Sequence, residues 1–306
     1  RPILYGVADY AEIRRANAWF LDRTAKIRDL EATRYAVFLR PRRFGKSLLT
    51  SILEAYYDVR YAGRFDEFFA GTDIGANPTE ERGKYLVLKF DFSAVSKNAR
   101  QVQESFNKYA ADCCDAFITG YAGIIPSDLS EAVLKEPNAG DKFNKIALRL
   151  KNTDLKLYVI IDEYDNFTNE LVISGRDVEY DAVCGHDAQG DATRESFFKA
   201  FFKSFKAGLA DGTVGRTYFT GVLPITLDDL SSGFNVGTVV SLDSDKIGMV
   251  GFTQSQVDAY VDDIFTEHEL DPSLRTAVLT DLKNFYDGYR FTPDAEPLYN
   301  STICNW

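Results

Sequence analysis

The chain has 306 residues, 45% hydrophobic and 14% aromatic, enough apolar material for one large domain or two smaller ones, which excludes a disordered chain. Its formal net charge is −11, from 35 basic and 46 acidic residues, so nucleic acid is repelled overall and any contact with it needs a local basic patch, for which Arg40-Pro41-Arg42-Arg43-Phe44-Gly45-Lys46 is the candidate. No apolar run is long enough to span a bilayer and no signal peptide is visible, which points to a cytoplasmic protein without membrane contact.

Along the chain, apolar runs of strand length alternate with helical patterns. The strands are expected at Tyr35–Leu39, from Tyr85 through Asp91, from Leu155 to Asp162, from Arg216 to Val222 and from Thr238. Helical spacing follows Gly45-Lys46-Ser47, covers Phe106–Tyr121, and is clearest in Arg194–Ala210, with Gly212 just beyond its end. Continuous apolar strands separated by helices imply a parallel sheet covered on both faces. Residues Phe167–Thr193, rich in Gly and Asp, read as a long loop or insertion. After Met249 the pattern changes to two amphipathic helices without a strand, the first opened by a capping box of Thr253 and Gln256. The expected division is a core of 1–248 and a small helical lid of 249–306.

Cysteines and histidines carry no chemistry in this reading. Cys113, Cys114, Cys184 and Cys304 read as free thiols in a reducing compartment. Cys184-Gly185-His186-Asp187 lacks a second ligand pair at a zinc spacing.

Gly45-Lys46-Ser47 carries more. A buried-type strand ends before it and an amphipathic helix starts at it. That order turns backbone N–H groups and a helix N-terminus toward an anion. Lys46 would reach terminal phosphates, and Ser47 would offer its hydroxyl to Mg²⁺. Arg40, however, stands where a GxxxxGK[ST] loop has its first glycine. Asp162 and Glu163 end the third strand, at the sheet edge where open α/β folds gather ligands. Asp162 is the expected Mg²⁺ ligand and Glu163 the expected base that orients an attacking water. Thr220, at the end of a later strand, either touches the γ-phosphate or water or bonds locally. Asp91 ends its strand at the same edge and either supports the metal or caps the next helix. Arg216 and Arg290 are candidates for positive charge on the transition state, in cis or from a neighbouring subunit, against an ordinary solvated arginine. Arg40, Arg42 and Arg43 are expected to line the phosphate site or pair with acidic residues, rather than bind nucleic acid.

The ordered set Arg40–Leu49, Leu88–Ser93, Ile160–Asp165, Phe219–Val222 with Pro224, Gly251–Val257, Tyr286–Phe291 and Leu298–Asn300 resembles the AAA-ATPase-like family of P-loop proteins. The resemblance implies an AAA+/STAND-like P-loop sheet sandwiched by helices with a C-terminal helical lid, binding ATP with Mg²⁺. It places the nucleotide against Arg43, Phe44, Gly45, Lys46, Ser47 and Leu48, the metal at Ser47 and Asp162, and catalysis on Glu163, Lys46 and Thr220. It makes Arg40 a family trait, while Arg23 departs from the family's lysine. Family members often carry a restriction-nuclease-like domain after the lid, and no such arrangement follows here. The expected function is a slow ATPase switch. The alternatives are a nucleotide-sensing interaction module with little hydrolysis, or the regulatory part of a nuclease-linked protein. A protein client or self-association fits either of the first two readings, and nucleic acid would be met only indirectly.

Overall fold

Five strands form one parallel sheet in the order β2-β3-β4-β1-β5. They are β1 (Tyr35–Leu39), β2 (Tyr85–Asp91), β3 (Lys156–Asp162), β4 (Val214–Gly221) and β5 (Thr238–Val239). The structure is a computed structural model and describes residues 1–96, 98, 101–166, 197–224 and 237–301. The expected insertion, His186, Cys184 and Cys304 lie outside the described residues. The strand expected from Thr238 shrinks to two exposed residues that pair with Ala36 and Val37.

Helices cover both faces, as continuous apolar strands require. One face carries α1 (Tyr10–Arg15), α2 (Lys26–Glu31), α3 (Lys46–Tyr57) and the short α4 (Phe65–Phe69) and α5 (Asp73–Ala76). Their buried residues, among them Leu53, Tyr56, Tyr57 and Phe69, pack with Ala36, Phe38, Val87, Tyr158, Ile160 and Tyr218 of the strands. The other face carries α6 (Val102–Gly120), α7 (Ser127–Leu134), α8 (Ala139–Leu150) and α9 (Phe197–Ala210). There the phenylalanines of α9 mesh with Phe90, Phe92, Phe106 and Phe219. Both adjacent cysteines are free, Cys114 fully buried in this layer.

Beyond the sheet lie α10 (Gln254–Glu267) and α11 (Arg275–Tyr286). The capping box forms as expected: Gln256 N–H donates to Thr253 Oγ1 and Thr253 N–H to Gln256 Oε1. The region is not purely helical. Phe252 bridges Tyr299 and Tyr289 bridges Leu298, both antiparallel. Val257 and Val261 of α10 share a small core with Phe252, Tyr299 and Trp19. The amino-terminal segment therefore reaches across to the helical pair.

Register sets what the sheet edge presents. Asp91 pairs with Asp162, and Phe38 with Thr220. Ile161 pairs with Phe219, so the next step along both strands brings Asp162 beside Thr220. Alternation of side chains then puts Asp91, Asp162 and Thr220 on the face that α3 covers.

Candidate functional site

The loop between β1 and α3 reaches the helix through a left-handed turn. Arg43 has φ 69° and Gly45, at the N-cap, φ 87°. Gly45 adopts this conformation without the penalty a Cβ would bring, and no side chain caps the helix. The first N–H groups of α3 thus stay available at a helix start of positive potential.

Lys46 is 4% exposed, although lysine rarely tolerates burial unpaired. Its Nζ donates to Pro41 O at 3.2 Å and lies 3.7 Å from Glu163 Oε1. Burial lowers its pKa, and Glu163, Asp162 and Asp165 oppose that shift. Burial also raises Glu163, against the attraction of Lys46 and Arg42 and with the repulsion of Asp162 and Asp165. Asp162 is likewise raised by burial, and the neighbouring Ser47 hydroxyl opposes the shift. Lys46, Ser47, Asp162 and Glu163 therefore form one cluster where β1, β3 and the start of α3 meet. Glu163 has φ 53° and leaves the line of the strand, which carries its carboxylate to Lys46.

Thr220 is fully buried, and its Oγ1 makes no hydrogen bond of good geometry. The local bond weighed for it is absent. Its hydroxyl shares the layer with the buried hydroxyl of Tyr218, which in turn faces Asp162 and Arg40. Asp91 accepts from Ser93 N–H at 3.0 Å, so it caps the turn after β2 while standing next to Asp162.

Two cavities meet at Ser47. One, of about 290 Å³, runs from Arg43, Gly45, Lys46 and Glu163 to apolar walls that include Trp19 and Phe252. The other, of about 390 Å³, runs along α3 past Ser51, Glu54, Lys89, Asp91 and Asp162. Among the described residues no group of three or more His, Cys, Asp or Glu side chains could hold a metal by itself. The hydroxyl and carboxylate of Ser47 and Asp162 instead form the kind of partial oxygen set that suits Mg²⁺, which keeps waters and substrate phosphates as its other ligands.

The arginines separate sharply. Arg40 does not line the cluster. Its side chain is 1% exposed, donating to Leu39 O at 2.9 Å and Ile247 O at 3.2 Å. The guanidinium lies between the rings of Phe38 and Phe291, 4.5 and 3.9 Å from their centroids. Desolvation by this packing lowers its pKa to about 10. Phe44 is also buried, edge-on to Tyr289 and Phe291, and lines the first cavity. Asn300 Nδ2 donates to Arg42 O at 3.1 Å. The residues after α11 thus brace the loop from behind, a role in which Arg40 replaces the flexibility of a first glycine. Arg42 and Arg43 are exposed, and Leu48 is half-buried beside the first cavity.

Arg216 corrects an expectation. It lies toward the amino end of β4 and donates to Glu31 O at 2.9 Å, with its Nε 3.6 Å from Glu81. Within its own chain it does not reach the edge that holds Lys46. Arg290 is exposed and donates to Pro293 O at 3.1 Å. Arg23 donates to Gly251 O and to Gln256 Oε1, joining the amino-terminal segment to the start of α10.

Sequence reasoning gave no role to Asp165, Tyr164 or Tyr218. The first two belong to the Asp162–Asp165 motif, and only the fold reveals that they touch β4. No curated protein and no solved structure was found to match the chain. The family model described as Predicted AAA-ATPase matches residues 4–231, well over half the chain and including Lys46, Ser47, Asp162, Glu163 and Thr220: the chain belongs to the AAA-ATPase-like family.

Proposed function

We propose that the chain binds ATP with Mg²⁺ in the cavity beside Lys46 and hydrolyses it slowly, as a switch. The observation that carries this is the buried Lys46 at a strand–loop–helix junction, 3.7 Å from Glu163, with Ser47 and Asp162 lining the adjoining cavity. Membership of a family of predicted ATPases supports the same class of activity.

In this reading the helix start and Gly45 receive the phosphates, and Lys46 balances the charge that builds on the γ-phosphoryl oxygens. Ser47 and Asp162 would hold Mg²⁺, which supplies electrostatic stabilisation of the phosphates. Glu163 orients a water and accepts its proton as the water oxygen bonds to the γ-phosphorus. The bond from that phosphorus to the bridging oxygen breaks, leaving ADP and phosphate. Thr220 offers a hydroxyl with bonding capacity at the same edge. The apolar end of the cavity takes the base, and Met249, Val250 and Phe252, at the start of the proposed lid of 249–306, line it.

Slow turnover follows from two features. Glu163 must leave Lys46 before it can act on water. Neither Arg216 nor Arg290 is held at the cluster to stabilise the transition state. The ion pair also favours a second reading, a nucleotide sensor with little hydrolysis, in which Glu163 stays on Lys46.

Phosphate release from purified protein with Mg²⁺-ATP, set against Lys46→Ala, tests the first reading. Release no faster than that variant's sinks it. A thermal shift with nucleotide in the absence of turnover then leaves the sensor, and no shift at saturation removes both.

A further inference from the structure

We propose that Tyr164 and Asp165 clamp the exit of β4 and thereby hold Glu163 against Lys46, acting as positioning residues for the hydrolysis proposed above, on which this inference rests. Four hydrogen bonds make the clamp. Tyr164 N–H donates to Thr220 O at 3.1 Å, and its hydroxyl to Leu223 O at 2.6 Å. Asp165 Oδ2 accepts from Val222 N–H at 2.9 Å and Leu223 N–H at 2.7 Å. Both residues are fully buried.

The fit leaves no room for adjustment at Gly221. A Cβ there would lie 2.4 Å from Asp165 Oδ1 and 2.6 Å from Tyr164 Cε1. The backbone of β4 is therefore pressed directly on the clamp, and a glycine is required for the approach. Glu163 sits between this clamp and the last β3 pairing, at φ 53°. A left-handed non-glycine residue is strained and persists only where its surroundings fix it. Asp162, paired with β2, fixes one side of Glu163, and Tyr164 with Asp165 fixes the other. A buried carboxylate is costly unless it is hydrogen-bonded, and here Asp165 Oδ2 takes two N–H groups of the chain that leaves β4, the strand that carries Thr220. The clamp thus sets the base and the Thr220 hydroxyl in one frame.

Phosphate release and binding of a non-hydrolysable ATP analogue are measured for Asp165→Ala, Asp165→Asn and Gly221→Ala beside the wild type. The kcat of Asp165→Ala and Gly221→Ala is expected to fall on the order of tenfold to a hundredfold, the loss that follows when a reacting group is misplaced by about an ångström. KM and analogue affinity stay within about twofold, since the binding contacts are untouched. Asp165→Asn keeps an oxygen that accepts from Val222 and Leu223 and recovers kcat to within about threefold of wild type. Unchanged kcat in Asp165→Ala overturns the proposal. So does Asp165→Asn performing no better than Asp165→Ala, or a joint loss of kcat and analogue binding, which a merely structural role would give. Tyr164→Phe removes one hydroxyl bond and keeps the ring, so it carries the test if the other variants fail to fold; kcat several-fold lower at constant KM is expected, and wild-type kcat overturns the idea. A wild type that releases no phosphate ends the hydrolytic reading but not the clamp. Hydrogen exchange at the Glu163 and Tyr164 amides then decides, faster in Tyr164→Phe supporting the clamp and unchanged rates refuting it.

Discussion

The α3-covered face of the sheet has two polar ends that are built differently. At the amino ends of the strands, Arg216 donates to Glu31 O and faces Glu81, Tyr57 donates to Glu31 Oε1 at 2.9 Å, and Tyr85 donates to Glu81. These groups close on one another, apart from Arg216 Nε, which makes no hydrogen bond. At the carboxyl ends, Lys46 meets Glu163 only at 3.7 Å, Arg43 and Glu163 hold left-handed backbone, and Thr220 Oγ1 has no well-formed bond. Sheet and helix are shared, but the amino end is the more exposed, Arg216 at 13% and Glu81 at 33% against 4% for Lys46 and 18% for Glu163. A closed network stabilises the native state. A buried group left with bonding capacity costs free energy that only a ligand or a reaction would offset.

The largest effect should come from the open end. Glu163→Gln is expected to lower kcat by roughly a hundredfold to ten-thousandfold, the span for loss of a general base, while nucleotide still raises the melting temperature. Loss of the thermal shift would instead mean that Glu163 holds the nucleotide. Arg40→Ala sharpens the comparison from the back of the loop. It removes a buried side chain packed between Phe38 and Phe291, so urea unfolding should show about 3 kcal/mol of destabilisation. Arg40→Lys should not restore it, because a point charge lacks the planar stack. A stable Arg40→Ala protein with weakened nucleotide binding would return Arg40 to the phosphates.

Much of this architecture is legible in the residues. Four of the five strands are long apolar runs, and a run of that kind needs cover on both faces, so the doubly covered parallel sheet follows. Gly45-Lys46-Ser47 and Asp162-Glu163 are legible too, since a loop before a helix and acids at a strand end are local features. Arg216 was not. It stands four residues before Thr220, and in a strand that spacing spans about 13 Å, enough to reach opposite ends of the sheet. Arg40 was equally opaque, because its role depends on Phe291, which only the tertiary fold brings near. The same holds for Gly221, where the requirement for glycine comes from Asp165 and Tyr164 in the turn after β3.

Arg216 now tests the closed end. Arg216→Met keeps much of the apolar stem but leaves Glu31 O without its donor and removes the ion pair with Glu81, so unfolding should reveal a loss of about 2 kcal/mol. Its kcat should equal that of wild type. A fall in kcat without loss of stability would reinstate Arg216 as a participant in the reaction and erase the distinction between the two ends.

Thr220→Val gives the smallest effect and the most direct contrast. Valine has the shape of threonine, and the hydroxyl it replaces is buried without a well-formed bond. Removing such a hydroxyl relieves a desolvation cost, so stability should stay within about 0.5 kcal/mol of wild type or rise. If Thr220 bonds to the γ-phosphate or the attacking water, kcat should still fall by about tenfold, or 1.4 kcal/mol of transition-state stabilisation. Each end would then lose one property and keep the other: Arg216→Met stability, Thr220→Val rate. A destabilised Thr220→Val protein would show that the hydroxyl is satisfied by Tyr218 within the fold. The carboxyl-end layer would then be as closed as the other, and the case for a site would rest on Lys46, Ser47, Asp162 and Glu163 alone.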